Sequence, residues 1–430
     1  MAARALSSRE RSKYEANLWK FYLFRFLVDF QLWLPIWVIY LQKERGLSLS
    51  QITLLDAPFW LVLVFMEIPT GAVADRFGRK TSLMWGAAAN SIAVLIFGIA
   101  GNFFVLLISY LAWAVAWTLY SGADSAFFFD SLKALGRESE FQKLWGRSRA
   151  IMSVGAFLGL LIGAPLADAT TLWFPVVASA ALMAGAWLVS LTFHEPPRLD
   201  EGEEQLSYLE GTKKAALIVY RHKSLRYMML LAAAVMAVGI SVSILAQPFL
   251  DSHDVDVGNF GWFLIPGNLL GIVAALVAYR VTAAIGVTRI FSLLPLAVIV
   301  TAAGLGAWDS LGAFVFYPIG GMVMAMSFPM IASYLNERIP SSQRATILSF
   351  HQLSFSLFTA VIEPVLGAIG DKWGLPVAYR VAAIVMALLA GPLLVLWIRA
   401  HRSEVLLSPE ELDNTEVVEL SGDSSEAEMV

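Results

Sequence analysis

The sequence predicts an all-α membrane protein with twelve transmembrane helices, arranged as two six-helix halves around a central cavity. Three observations predict this fold class. Of the 430 residues, 58% are hydrophobic and only 15% are charged, whereas a soluble domain has about 25% charged residues. The apolar residues fall into twelve runs, each long enough to cross a bilayer. The longest polar interruption divides these runs six and six.

The twelve apolar runs define the predicted transmembrane spans. A helix rises about 1.5 Å per residue and needs about 20 residues to cross the hydrocarbon core, so each run is long enough. An even number of spans places both chain termini on one side of the membrane. In chain order, spans 1 to 12 are predicted at residues 18–41, 52–74, 82–100, 103–129, 148–169, 171–193, 226–250, 257–279, 287–307, 311–335, 345–369 and 376–398.

The polar segments complete the predicted organisation. The segment between spans 6 and 7 carries an acidic patch followed by basic residues, which is typical of a cytoplasmic linker. The C-terminal tail is acidic and poor in aromatic residues, which predicts disorder. The predicted domains are an N-terminal arm at 1–17, a first half at 18–193, the linker at 194–225, a second half at 226–399 and the tail at 400–430.

Lysine and arginine predict the orientation. All but five of the 30 basic residues lie in the arm, the linker, the start of the tail and the loops on the same side as the termini. Lys43, Arg45, Lys372 and Arg380 lie on the opposite side, and Arg25 lies inside span 1. Because cytoplasmic loops carry the excess of basic residues, both termini are predicted to be cytoplasmic in a multi-pass protein of the cell (inner) membrane.

The sequence argues against several classes of function. It contains no cysteine, so it has no disulfide framework, thiolate metal site or cysteine nucleophile. It contains no phosphate-binding loop and no histidine–glutamate metal motif. Its basic residues follow the membrane pattern instead of forming a nucleic-acid-binding patch. We therefore expect no enzyme activity, no cofactor, no metal site and no nucleic-acid partner.

A ten-residue polar turn from Gly71 to Lys80, Gly-Ala-Val-Ala-Asp-Arg-Phe-Gly-Arg-Lys, joins predicted spans 2 and 3. Its second glycine, Gly78, permits the backbone angles of a tight reversal. The segment resembles the loop between helices 2 and 3 of the major facilitator superfamily, whose pattern reads G-x-x-x-D-R-x-G-R-[KR]. Every specified position of that pattern is met.

Two further stretches extend the resemblance to the same superfamily. Residues 334–346 resemble the loop between helices 10 and 11, and residues 121–132 resemble the end of helix 4 in one bacterial branch. The similarity covers residues 15–400. It implies a fold in which helices 1, 4, 7 and 10 line the cavity, while helices 2, 5, 8 and 11 form the interface between the halves.

The resemblance also implies a latch at the polar turn. Asp75 would face the start of span 11, while Arg76 and Arg79 would pair with the acidic end of span 4 at Asp130. A carboxylate near a helix N-terminus is electrostatically favourable. Such contacts would hold the cytoplasmic side shut and break on inward opening. We therefore assign Asp75, Arg76, Gly78, Arg79 and Asp130 to gating.

Four ionisable residues inside the spans are candidates for proton coupling or substrate binding. Arg25 and Asp29 lie four residues apart on one face of span 1, and Glu67 and Asp124 lie at similar depth on spans 2 and 4. A charge in mid-membrane costs about 2.5–3.5 kcal/mol, so it usually faces a cavity or a partner. One positive charge against three negative charges favours a proton on at least one carboxyl. Asp29 and Asp124 are the preferred carriers, and a structural salt-bridge network is the alternative.

Six further residues are candidates for lining the cavity: Gln31, Trp113, Tyr120, Gln247, Tyr317 and Glu363. Aromatic side chains in a cavity suit a partly apolar or cationic ligand. Aromatic belts at the membrane interfaces explain such residues equally well. Asp56, near the outer end of span 2, is expected to reach water.

Two glycine series predict close helix packing. Gly155, Gly159 and Gly163 follow one another at four-residue spacing on span 5, and Gly267 and Gly271 do so on span 8. Small residues four apart let helix backbones approach closely. We expect these faces to lie at the moving interface between the halves, and static packing is the alternative.

The sequence therefore predicts a secondary active transporter that moves a small molecule by alternating access, coupled to protons. Its carboxylates and aromatic residues favour export of a lipophilic or cationic compound. The antiporter motif of the family is only partly matched, because Ala164 precedes Pro165. One alternative is proton-symport uptake of a metabolite, with Arg25 binding its anionic group. The other is a non-transporting membrane receptor or scaffold. The expected partners are a small-molecule substrate, protons and the lipid bilayer, and the protein is expected to be a monomer.

Overall fold

A computed structural model describes residues 7–197, 219–336 and 344–404. The middle of the predicted linker, part of the segment that resembles loop 10–11, and the tail beyond Glu404 lie outside the described residues. The described part of the chain contains helices and no strand.

Helices form nearly all of the described chain. Short 3-10 helices lie at Glu138–Glu140, Val257–Asn259 and Leu311–Phe316. The α-helices are α1 Ser8–Asp29, α2 Trp37–Lys43, α3 Leu49–Phe77, α4 Arg79–Ile99, α5 Phe103–Ser121, α6 Asp124–Ala134, α7 Phe141–Ala169, α8 Trp173–Leu191, α9 Lys223–Ile244, α10 Ala246–Ser252, α11 Phe260–Ile285, α12 Val287–Ala307, α13 Tyr317–Asn336, α14 Arg344–Trp373 and α15 Leu375–Glu404.

Among the described residues, eleven helices are long and apolar enough to cross a membrane. Two of these crossings are pairs of consecutive helices, α5 with α6 and α9 with α10. The twelfth crossing is formed by α1 and α2 together. These two helices are not among the eleven, because α1 is rich in charged residues and α2 is short. The predicted all-α fold with twelve crossings is therefore confirmed.

Both ends of the described chain extend the predicted helices. Ser7 caps α1 in a capping box with Glu10, so the helix begins inside the predicted polar arm. At the other end α15 continues to Glu404, so the first residues of the predicted tail are helical. Hydropathy marks the apolar core of a helix but not its polar extensions.

Two faces of the molecule are defined by the loops. The terminal face carries both ends of the described chain and the loops at 78, 135–140, 192–197 and 286, and the distal face carries those at 44–48, 100–102, 170–172, 253–259, 308–310 and 374. Near the terminal face, α1, α6 and the segment after α8 bury one aromatic cluster: Phe21, Phe24, Phe127, Phe128 and Phe193. This cluster fixes the part of α1 that leads to Arg25.

The two halves, α1–α8 and α9–α15, meet through two helix pairs. α3 packs against α14 along much of its length, and α7 packs against α11. Among the described residues, the hydrogen bonds and the ion pair that join the halves lie mainly near the distal face, for example between Lys43 and Asp251. The halves are therefore joined at the distal face.

The first predicted span is interrupted at residues 30–36, which corrects the expectation of one continuous helix at 18–41. Pro35 lies in this break, and proline removes a backbone donor and disfavours a helical conformation in the residue before it. The Leu32 N–H donates to the Ser179 hydroxyl of α8 at 2.9 Å. Non-helical backbone in a membrane is tolerated only where other groups satisfy it in this way.

The glycine series on α7 packs against this break, which corrects its expected place at the interface between the halves. A Cβ on Gly159 would lie 2.6 Å from the carbonyl oxygen of Gln31, and one on Gly163 would overlap the Leu32 carbonyl. On α11, Gly271 packs against Gly321 of α13, within the same half. Both series therefore serve close packing inside a half, because only glycine leaves room for a neighbouring backbone.

Candidate functional site

Arg25 lies between two carboxylates near the middle of the first half. Its Nη2 is 3.1 Å from Asp29 Oδ2, and its Nη1 is 3.6 Å from Asp124 Oδ2. The side chain of Arg25 is 7% exposed, while those of Asp29 and Asp124 are 21% and 13% exposed. The arginine is thus buried, and both carboxylates are partly exposed.

Helix breaks bring these three residues together. Asp29 is the last residue of α1, directly before the break at 30–36, and Asp124 is the first residue of α6, directly after Gly122 and Ala123. The N-terminus of a helix favours negative charge, whereas its C-terminus does not. Asp124 is therefore stabilised by its own helix, and Asp29 depends on Arg25.

Two further side chains complete the polar cluster. Arg25 lies over the ring of Tyr120, with 5.7 Å from its guanidinium carbon to the ring centroid. Arg149 of α7 interacts electrostatically with both Asp29 and Asp124. Arg149 is the second residue of predicted span 5, where a basic residue is typical of the cytoplasmic end of a span, so the sequence gives no sign of its place beside these carboxylates. With two arginines facing two carboxylates, the cluster is balanced in formal charge.

Glu67 lies away from this cluster. It is exposed on α3, and its carboxylate accepts a hydrogen bond from Ser349 of α14. Its depth along the helix predicts a place near Arg25, but depth does not specify which side of the helix a residue occupies. Glu67 therefore contacts the opposite half instead of the Arg25 cluster.

The residues assigned to gating fall into two groups. Arg79 forms an ion pair with Asp130, and its guanidinium also donates to the Ala126 carbonyl at 2.9 Å. Asp75 and Arg76 are exposed to solvent at the end of α3. The start of α14, which Asp75 is expected to face, has no described side chains at residues 344–346.

The turn between α3 and α4 is held by Glu195, a residue for which the sequence pattern gives no signal. Gly78 has a φ of 102°, which favours glycine. The Glu195 carboxylate, just after α8, accepts hydrogen bonds from the backbone N–H groups of Arg79 at 2.7 Å and Lys80 at 2.8 Å. A carboxylate here satisfies unpaired donors and the positive end of the α4 dipole. The role of Glu195 is visible only in the structure, where the segment after α8 contacts the start of α4.

One candidate cavity residue, Trp113, belongs to an aromatic cluster within the first half. Its ring centroid lies 5.3 Å from that of Trp33 and 4.8 Å from that of Phe59. The indole N–H groups of Trp33 and Trp113 have no hydrogen-bond partner among the described residues. A small pocket is lined by Trp33, Ala93, Val94, Phe97, Ser109, Tyr110 and Trp113.

Three other cavity candidates make local or inter-half contacts. Gln31, which lies within the break, donates from its side-chain amide to the carbonyl of Val28 near the end of α1. Gln247 uses both polar atoms of its side chain to bind the backbone of the opposite half. Tyr317 stacks on Phe314 with 4.7 Å between ring centroids, near the distal face.

Glu363 and Asp56 form a carboxyl pair between the halves. Glu363 of α14 is fully buried and in hydrogen-bonding contact with Asp56 of α3. The expectation that Asp56 reaches water is wrong, since its residue is only 7% exposed. The prediction failed because nothing in the sequence around Asp56 indicates that α14 covers it.

Comparisons with known proteins give a consistent family. The model of the Major Facilitator Superfamily matches residues 21–361. The uncharacterized MFS-type transporter YxaM of Bacillus subtilis is 20% identical over 81% of this chain and 88% of its own. The multidrug efflux protein YfmO of the same species is 23% identical over 82% and 85%. The crystal structure of a mutant nucleoside transporter, NupG, is similar in fold, with a TM-score of 0.77, 15% identity, and coverage of 89% of this chain and 100% of its own.

Proposed function

The chain belongs to the major facilitator superfamily and is a membrane transporter, not an enzyme; from this premise we propose that it couples proton movement to export of a lipophilic or cationic compound by alternating access. The observation that carries the coupling is the Arg25 cluster, which places Asp29 and Asp124 on either side of one buried cation. Binding sites in such transporters lie where membrane helices are interrupted, and both carboxylates lie at such interruptions.

The proton step follows from this arrangement. An ionised Asp29 or Asp124 pairs with Arg25, and a protonated one releases it. Because both carboxylates are partly exposed, each of them is available to a proton and to a cationic substrate. Competition between proton and cation for one carboxylate is sufficient to exchange one for the other.

Export is favoured by two observations. YfmO, a relative that matches most of the chain, is described as a multidrug efflux protein. Two aromatic side chains also lie beside the site, since Arg25 lies over the ring of Tyr120 and Trp117 contacts Tyr120. Aromatic faces attract organic cations.

Proton-symport uptake of an anionic metabolite is the second candidate function. It is favoured by Arg25, whose buried Nε has no hydrogen-bond partner among the described residues. A buried donor without a partner costs about 1–3 kcal/mol, which a bound anion would offset. Under this alternative Arg25 binds the substrate and the carboxylates bind the proton.

Flux in proteoliposomes tests the proposed function. With a proton gradient imposed, we expect tetraphenylphosphonium to move against protons in wild type, and Asp29→Asn and Asp124→Asn to lose this exchange. Asp254→Asn is the matched control, because Asp254 is exposed and its φ of 56° is one that asparagine tolerates. Movement of organic anions together with protons, and no movement of the cation, would establish symport instead.

We also propose that both termini are cytoplasmic and that the protein is a monomer of the cell membrane. The support is the excess of basic residues on the terminal face. Since the chain has no cysteine, single cysteines report sidedness cleanly. A membrane-impermeant thiol reagent should label Gly101→Cys in intact cells and Glu138→Cys only after lysis. The reverse pattern would invert the orientation, and light scattering of purified protein tests the monomer.

A further inference from the structure

α3 and α14, which belong to opposite halves, meet along a matched row of side chains. On α14 successive members of the row lie four or eight residues apart, and on α3 they lie three or four residues apart. Each row therefore lies on one face of its helix. From the distal face inward, the paired residues are Asp371 with Leu49, Gly367 with Thr53, Glu363 with Asp56 and Phe355 with Trp60.

The backbones are closest next to the carboxyl pair. A Cβ on Gly367 would lie 2.8 Å from the carbonyl oxygen of Leu49 and would overlap the hydroxyl of Thr53. Glu363 lies one turn from Gly367, and Asp56 lies one turn from Thr53. The tight contact therefore fixes the two carboxyl groups against each other.

The Asp56–Glu363 pair has no counter-charge. Neither carboxyl oxygen of Glu363 receives a hydrogen bond from another donor in the described chain, and Asp56 accepts one from the indole N–H of Trp60 at 2.7 Å. No described lysine or arginine forms an ion pair with either carboxyl. Tyr110 of α5 is the titratable side chain that faces both, and the other packed helices add none among the described residues.

This arrangement requires a proton. Two ionised carboxylates in contact, away from water and without a cation, would repel each other and leave their oxygens without donors. With one proton between them, one carboxyl donates to the other and the pair becomes a hydrogen-bonded unit that titrates as a pair.

We propose that Asp56 and Glu363 form a proton-binding site between the two halves, in which one shared proton joins α3 to α14 and its loss separates them. The site lies seven residues into α3, about 10 Å below the distal face at 1.5 Å per residue. Solvent therefore reaches it from the distal side once the halves part.

The role of this site rests on the proposed alternating-access function, but its proton does not. The Arg25 cluster lies within the first half and contains two arginines, whereas the Asp56–Glu363 pair joins both halves and contains no cation. The shared proton therefore favours the distal-closed state, and release of that proton to the distal side accompanies opening.

Infrared spectroscopy of the purified full-length protein tests for the proton directly. At pH 7 exposed carboxyls are ionised, since the reference pKa values of aspartate and glutamate are about 4. We expect a carbonyl band of a protonated carboxyl in wild type that is lost in Asp56→Asn and in Glu363→Gln and kept in the control Asp254→Asn. Persistence of the whole band in both variants would overturn the proposal.

A distance measurement tests whether the shared proton of Asp56 and Glu363 holds the two halves together. Gly101→Cys and Gly312→Cys place spin labels on the distal face of opposite halves, at positions where a Cβ meets open space or an ordinary van der Waals contact. We expect the label distance in wild type to lengthen as pH rises, because the pair loses its proton. In Glu363→Gln the amide donates to Asp56 without a titratable proton, so the distance should stay short at every pH. If the label distance in Glu363→Gln lengthened with pH as it does in wild type, the shared proton would not be what joins the halves.

The outcomes separate this proposal from the proposed function. Loss of coupled flux only in Asp29→Asn and Asp124→Asn, with infrared bands and distances unchanged in the Asp56 and Glu363 variants, would overturn the inter-half site alone. A band lost with Glu363→Gln in a protein that shows no proton-coupled flux would overturn the proposed function and keep the proton site. If Glu363→Gln fails to fold, Asp56→Asn supplies the same measurements, because its amide donates to Glu363.

Discussion

Gln247 of α10 binds the backbone of Val38 in the opposite half. Its side-chain oxygen accepts a hydrogen bond from the Val38 N–H at 2.9 Å, and its amide nitrogen donates to the Leu34 carbonyl at 3.0 Å. Val38 lies in the first turn of α2, where N–H groups have no partner within the helix. One side chain thus satisfies the interrupted backbone and joins the two halves near the distal face.

Gln247→Ala is expected to destabilise the protein and to loosen the distal contact. It leaves the buried Val38 N–H without a partner, which costs about 1–3 kcal/mol. Chemical unfolding measures the loss, and spin labels at Gly101→Cys and Gly312→Cys measure the separation. Gln42→Ala on α2 is the matched control, because the described residues show no side-chain hydrogen bond for Gln42. Equal effects of the two substitutions would contradict this role.

Gly159→Ala is expected to be destabilising because its Cβ would lie 2.6 Å from the carbonyl oxygen of Gln31. Inserting a carbon into a closely packed contact costs about 1–3 kcal/mol. Gly146→Ala on the same helix is the control, since a Cβ there meets nothing within 4 Å. Thermal unfolding of the two variants side by side should separate them, and similar melting temperatures would rule out a close contact at Gly159.

The crossings could be predicted from the sequence, but the breaks inside them could not. A run of about 20 apolar residues is nearly sufficient evidence for a crossing. Pro35 was available as a signal for the break after α1. However, α3 contains Pro58 and Pro69 and remains one helix. What permits the break is the supply of partners from Ser179 and Gln247, which come from distant parts of the chain.

The candidate site divides in the same way. The pairing of Arg25 with Asp29 follows from their spacing, since residues four apart are neighbours on a helix. Arg149 gives no such signal, because a basic residue at the cytoplasmic end of a span follows the general charge bias of membrane proteins. Partners on different helices, such as Asp56 and Glu363, cannot be matched from periodicity, which specifies a face but not what lies against it.

Arg25→Gln is expected to be strongly destabilising. It leaves the carboxylates of Asp29 and Asp124 largely buried without their main cation, and breaking a buried ion pair by removing one partner costs about 3–5 kcal/mol. Adding Asp124→Asn to Arg25→Gln should recover part of this loss, because one charge is then removed. Chemical unfolding of both variants measures the recovery.

The matched control for Arg25→Gln is Arg11→Gln. Arg11 and Glu15 form an ion pair at the same spacing on the same helix, but their side chains are 61% and 51% exposed. An exposed pair contributes about 0–1 kcal/mol. If the two single substitutions were equally costly, burial would not be what makes the Arg25 cluster important.

Glu195→Ala should loosen the start of α4. It removes the acceptor for the N–H groups of Arg79 and Lys80, and loss of such a cap costs about 0.5–2 kcal/mol. Hydrogen exchange should quicken in the first turn of α4 while the rest of that helix keeps its protection. Glu138→Ala, an exposed glutamate on the same face, should leave exchange in α4 unchanged. Unchanged exchange in Glu195→Ala would mean that solvent caps this helix equally well.

Asp75→Asn tests the latch that the polar turn predicts. Arg79 already pairs with Asp130 inside the first half, whereas Asp75 is exposed while the distal ends of the halves are joined. We therefore expect Asp75 to bind the start of α14 in the state in which the terminal face is closed. A carboxylate at a helix N-terminus contributes about 0.3–2 kcal/mol. Losing that contact should shift the population towards the distal-closed state and slow flux several-fold, since each 1.36 kcal/mol is about tenfold. Flux in proteoliposomes and the distal label distance measure both effects, with Glu138→Gln as the control on the same face. A folded Asp75→Asn protein with unchanged flux would mean that the exposed carboxylate has no part in switching.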